Sequence, residues 1–149
     1  MTGKNRFVSG GDGVVIDTGT RLMWTRTDTM NDLEKWVNYL DSVDYARELR
    51  EKKFAGFDNW RLPDRDEMAT LFDEDFVIKD KFEKDIHISD CFAAGGGFSM
   101  IAAQVTGRIR TWVFNLRTGK FDQPDGLWTL SEAARAVRTM DSDEPLHVD

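Results

Sequence analysis

Gly10-Gly11-Asp12-Gly13-Val14-Val15-Ile16-Asp17-Thr18-Gly19-Thr20-Arg21-Leu22-Met23-Trp24 holds two turn signals and two apolar triplets. The first four residues are turn chemistry, and Val14, Val15 and Ile16 are β-branched types that favour an extended chain. Asp17 to Thr20 is a second turn, followed by Leu22-Met23-Trp24 as a second strand. Strand, tight turn and strand predict a hairpin close to the start of the chain.

Downstream the apolar spacing changes from extended to helical. Leu33, Trp36, Val37 and Leu40 fall at i, i+3, i+4 and i+7, and Tyr45, Ala46 and Leu49 continue the pattern out of phase. This predicts helix over Met30–Lys53 with a break near Ser42, and Gly56 as its stop. Asp64 and Glu67 have capping-box spacing, so a short helix carries Met68, Leu71 and Phe72 and ends near Asp73. Asp73–Asp90 is charged and irregular, with Phe76, Val77, Ile78 and Phe82 as expected anchors. Beyond Gly95-Gly96-Gly97, strands are expected over Phe98–Val105 and Ile109–Leu116, with a Thr118-Gly119 turn into Lys120-Phe121. Ala133–Thr139 reads as a last strand or short helix, and Asp141–Asp149 as a frayed acidic tail. A hairpin, then two helices, then strands predicts an α+β fold with helices packed on short antiparallel strands.

Size and charge narrow the function. The 149 residues suit one domain, with a core over about 7–139 and a tail over 140–149. Apolar residues make up 40% and charged residues 32%, which is a globular balance. Lys and Arg number 20 against 27 Asp and Glu, so the net charge of −7 disfavours nucleic acid and anionic membranes as partners. Cys91 stands alone, so an internal disulfide and a four-cysteine zinc site are excluded. No apolar run is long enough to cross a membrane, and residues 1–13 lack an apolar signal core, so a cytoplasmic location is expected.

The order of the pieces resembles the Lcl C-terminal domain family, a bacterial family long of unknown function. Its opening signature is matched by Asp12-Gly13, Asp17, Thr20 and Leu22-Met23-Trp24. Its central Asp-Trp-Arg-Leu-Pro-like run is matched by Asn59-Trp60-Arg61-Leu62-Pro63 with Glu67 and Leu71. Its closing strands are approximated by Trp112-Val113-Phe114-Asn115, Gly119 and Ala134-Arg135-Ala136-Val137-Arg138. The resemblance implies a C-type-lectin-like fold with the N- and C-terminal strands adjacent. It also implies a binding module, the founding domain being one that binds sulfated polysaccharide. Where members carry a Trp-Thr/Ser-Ser strand after the glycine-rich turn, this chain has Phe98-Ser99-Met100-Ile101-Ala102-Ala103.

Several residue groups invite a chemical reading. Trp24, Trp60, Arg61, Leu62 and Pro63 are expected to be structural: the tryptophans and Leu62 bury area, Arg61 finds a carboxylate or carbonyl, and Pro63 presets a helix start. Gln123-Pro124-Asp125 is similar to the sugar-binding triplet of calcium-dependent lectins, but Pro-Asp-Gly is also ordinary turn chemistry, which is favoured. Asp73, Glu74, Asp75 and Asp80 lack calcium-loop spacing, and His87, Asp90 and Cys91 fall one ligand short of structural zinc unless His147 joins them. Arg108, Arg110 and Trp112 would share one strand face with Phe114 and Leu116, and this is the expected partner-binding surface.

No nucleophile elbow, phosphate loop or zinc-protease helix motif is present. The expectation is therefore a non-catalytic binding module with no metal or cofactor, acting on a protein partner or as a homo-oligomer within a cytoplasmic assembly. The alternatives are carbohydrate or calcium-dependent lectin-like binding, or a metal-dependent enzyme of the formylglycine-generating-enzyme-like fold. One Cys and two His argue against that enzyme.

Overall fold

Trp24 sits at the middle of the sheet that ties the two ends of the chain together. The computed structural model describes residues 6–106, 110–123 and 132–145. Strands β1 (Phe7–Gly11), β2 (Val14–Asp17) and β3 (Leu22–Thr25) form an antiparallel meander, and the last strand, β9 (Val137–Thr139), pairs with β3. Val15 lies opposite Trp24, and Trp24 opposite Val137. Alternate side chains leave on opposite faces, and here both faces are buried. Phe7, Val15, Leu22, Trp24 and Val137 enter the main core; Val14, Ile16 and Met23 enter a second one with Tyr45, Leu49 and Trp60.

The helical region is divided earlier than the apolar spacing predicts. Helix α1 spans Thr29–Leu33 and α2 spans Tyr39–Glu51, so the break covers 34–38 and Ser42 lies within α2. Two capping boxes explain this. Asp28 and Asn31 exchange side-chain-to-backbone hydrogen bonds at the start of α1, and Asn38 and Asp41 do so at the start of α2. Glu34 ends α1 in a left-handed conformation, and Val37 between the helices is fully buried, its amide donating to the Glu132 carbonyl. Leu33 and Leu40, read as one helical stripe with Trp36 and Val37, are instead exposed by 47% and 41%. The chain leaves α2 through a single 3₁₀ turn at Phe54–Gly56, and α3 spans Arg65–Ala69, ending short of Asp73.

The segment taken as irregular forms a small hairpin, β4 (Ile78–Lys79) with β5 (Asp85–Ile86). Ile78 is buried and Phe76 packs against the main core, but Val77 and Phe82 are half exposed and enter no buried core. Strands β6 (Ser99–Thr106), β7 (Arg110–Asn115) and β8 (Lys120–Asp122) make the second antiparallel sheet. Gly119 turns β7 into β8 with φ at +74°, and a Cβ there would meet the Phe72 ring at 2.8 Å. Two bridges join the sheets through their neighbours: Arg61 with Val137, and Met100 with Ala133. Of Ala133–Thr139 only the last three residues form a strand, while Ala133, Ala134 and Ala136 are fully buried.

The tail is tied down as far as Glu144, and residues 146–149 lie outside the described residues. Met140 is buried in the second core, Arg138 holds Glu144 at 2.8 and 2.9 Å, and Arg21 donates to the carbonyls of Asp141 and Glu144. The architecture is mixed α+β, with few helices and several antiparallel sheets.

Candidate functional site

The Trp60–Pro63 run is a latch between the helical half and the closing strand. Trp60 is fully buried, donates through Nε1 to the Phe54 carbonyl at 2.9 Å, and meets the Phe54 ring edge-on. Arg61 makes a two-point pair with Glu67 at 2.6 and 2.8 Å, reaches Thr139 Oγ1 at 2.8 Å, and exchanges backbone bonds with Val137. Burial pushes the Glu67 carboxyl upward, but the Arg61 bonds and the Asp64 amide outweigh it, so its pKa lies below the usual glutamate range. Leu62 and Pro63 are buried at the start of α3. The polar contacts of these residues are made within the fold.

A second buried polar centre lies under α1. Asp28 is fully buried, caps α1, accepts the Gly97 amide at 2.9 Å and faces Arg135 at 3.9 Å. Arg135 donates at 2.7 Å to the carbonyls of Thr25 and Arg26 and lies 4.6 Å from the Phe92 ring centre. Burial pulls the Arg135 pKa down, with Asp28 opposing. Tyr45, hydrogen-bonded to Asp32 at 2.9 Å, has its hydroxyl pKa raised by burial and by that carboxylate.

The expected partner-binding strand is distributed unevenly. Arg108 lies outside the described residues, and Arg110 opens β7 by its backbone with its side chain outside the description. Trp112 is half-buried, with the Arg65 guanidinium 4.2 Å from its ring centre and Phe121 edge-on at 6.1 Å. Phe114 and Leu116 are buried in the main core, so the strand carries structural packing at its far end. Gln123 follows β8, while Pro124 and Asp125 lie outside the described residues. His87 Nδ1 contacts the Phe76 carbonyl at 2.9 Å and Cys91 Sγ the Phe7 carbonyl at 3.4 Å, so both are occupied by the fold. His147 lies outside the described residues. Among the described residues no group of His, Cys, Asp and Glu converges as metal ligands would.

The arrangement that stands out at the surface joins three distant parts of the chain. Trp36, between α1 and α2, stacks on Phe82 with centroids 6.1 Å apart and 25° between planes. Phe98, just before β6, meets Trp36 edge-on at 6.1 Å and Phe82 at 6.3 Å. Lys81 Nζ lies 5.5 and 5.4 Å from the Trp36 and Phe82 ring centres, and the Arg117 guanidinium lies 3.8 Å from that of Phe98. Asp80, buried beneath, holds Arg117 at 2.7 Å and fixes the turn by accepting the amides of Phe82 and Lys84. A cleft of about 620 Å³ adjoins the cluster, lined by Met30, Glu34, Lys79, Asp80, Lys81 and Glu83. On the other side of Phe98 a groove of about 290 Å³ carries Ser99, Asn115, Lys120, Asp122 and Glu132. Sequence spacing could not have assembled this cluster, since no local period relates positions 36, 82, 98 and 117. The one available signal was Phe82 next to Lys81 in a charged segment.

A family model for the Lcl C-terminal domain matches residues 13–138. The chain belongs to the Lcl C-terminal domain family. No curated protein matches the chain significantly. In this Lcl domain the matched region runs from the start of β2 into β9, taking in the Trp60–Pro63 latch, the Asp28–Arg135 centre and the aromatic cluster. The β1 strand and Glu144, which clasps Arg138, lie beyond its two ends. Among the described residues no helix is long and apolar enough to cross a membrane.

Proposed function

We propose that this Lcl domain is a non-catalytic binding module of C-type-lectin-like organisation whose ligand is a protein partner within a cytoplasmic assembly. The pairing of β3 with β9, which brings the beginning and end of the domain together, supports the lectin-like reading. The observation that carries the binding reading is a contrast in how side chains are used. The ligand candidates Cys91, His87 and Asp80 are engaged in holding the fold, as are the buried Asp28 and the paired Glu67, whereas Phe82 is half exposed within a ring cluster flanked by cations. Aromatic and arginine side chains, here the three rings with Arg117, are the usual anchors of protein interfaces. Cys91 is a free thiol, which suits a reducing compartment.

Carbohydrate binding is the second reading, favoured by the groove beside Phe98, where amide, hydroxyl, ammonium and carboxylate groups line up next to a ring. A glycan array and an affinity capture with crosslinking from native lysate, run on the same preparation, separate the two. Saturable capture of one protein with a silent glycan array is the expected result. Retention on glycans instead selects the second reading, and stoichiometric metal with turnover would overturn both.

A further inference from the structure

We propose that the Trp36–Phe82–Phe98 cluster is the docking surface of this domain, and that its occupant is a protein segment carrying an acidic residue beside an aromatic or large aliphatic one; this rests on the binding-module reading above. Three features on one patch lead to it. The rings are held by one another and by Arg117, itself fixed by the buried Asp80, so little side-chain freedom is lost when a partner settles on them. Phe82 is 51% exposed, an uncommon loss of burial for a phenylalanine already in contact with two other rings. Lys81 lies over Trp36 and Phe82 with no carboxylate in ion-pair reach among the described residues.

The placement of the cations chooses the chemistry. Lys81 and Arg117 lie over ring faces, where a saccharide would otherwise stack. An occupant must therefore satisfy ammonium and guanidinium donors and cover ring edges at the same time. A carboxylate does the first, through Lys81 and the outer edge of the Arg117 guanidinium. An adjacent apolar side chain against Phe82 does the second. Glu34 and Glu83 line the adjoining cleft and repel a second carboxylate there, so the acidic feature is short rather than a polyacidic run.

The test pans a display library of random linear peptides against the full chain and measures the enriched peptide by fluorescence anisotropy. Peptides with Asp or Glu next to Phe, Trp, Leu or Ile are expected to be enriched. Phe82→Ala and Lys81→Glu are each expected to weaken binding at least tenfold, with melting temperatures near that of the parent because both side chains are exposed. Binding is also expected to weaken as salt rises. Enriched peptides that lack acidic residues overturn the proposal. So does binding that survives both substitutions but is lost in Trp112→Ala; that outcome moves the site to β7 and leaves the binding-module reading standing. If no peptide is enriched, this inference fails, and the lysate capture decides the protein-partner reading separately.

Discussion

Asp28 and Gly96 show how closely single residues are held. A Cβ on Gly96 would meet Asp28 Oδ2 at 2.4 Å, and that carboxylate is already committed to the Gly97 amide, the α1 cap and Arg135. Gly96→Ala is therefore expected to cost about 1–3 kcal/mol, as overpacking in a closed interior does, read from the urea midpoint. Arg135→Ala is the more severe change. It strips a buried carboxylate of its countercharge and leaves the Thr25 and Arg26 carbonyls without that donor. A loss of about 3–5 kcal/mol is expected, and a loss below about 1 kcal/mol would show that the pair is not structural. The Arg61–Glu67 pair has its arginine partly exposed to solvent, and a double-mutant cycle is expected to return a coupling of only about 0.5–1 kcal/mol despite its two-point geometry.

At the level of elements, short helices here are set by their caps. Helices α1 and α3 have five residues each, too few to persist without tertiary support, and each opens on a capping box. Helix α3 delivers Met68 to the main core, so its position matters beyond its length. Asp64→Ala is expected to cost about 1 kcal/mol while Asp64→Asn, which can still accept the Glu67 amide, costs far less. Thermal unfolding of the two variants side by side checks this. The α3 capping box was legible because Asp64 and Glu67 stand at the right spacing next to Pro63. The α1 and α2 boxes use Asn and Asp at the third position, outside the usual Glu or Gln pattern, and so the break was placed near Ser42 instead of at 34–38.

Across the whole molecule, two carboxylates outside the deep core link stability to pH. Glu144 lies below the ordinary value of 4.5 because Arg138 hydrogen-bonds it, and Glu67 lies below it because the Arg61 bonds outweigh burial. A carboxyl depressed in the fold contributes stability above its unfolded pKa and loses it as pH falls through the folded pKa. Stability is thus expected to be level from neutral pH to about 5 and to fall below about 4.5. Urea midpoints across that range check it, and Glu67→Gln with Glu144→Gln is expected to flatten the fall. The β3–β9 pairing, with Arg21 donating to the Asp141 and Glu144 carbonyls, fastens the closing segment to the opening hairpin. By itself the sequence determined the hairpin over β2 and β3, the α3 cap, the Gly119 turn, the α+β order and the family, because each depends on residues within one turn, one strand or one short motif. Only the tertiary structure decided where the helical region breaks, which apolar residues stay outside, and that Trp36, Phe82 and Phe98 meet. Val37 belongs to no helix because its burial and its bond to the Glu132 carbonyl hold it between two caps, and Phe82 is exposed because the Asp80 turn lifts it from the core. Long-range packing chooses among locally equivalent apolar residues, and no period within the chain records that choice.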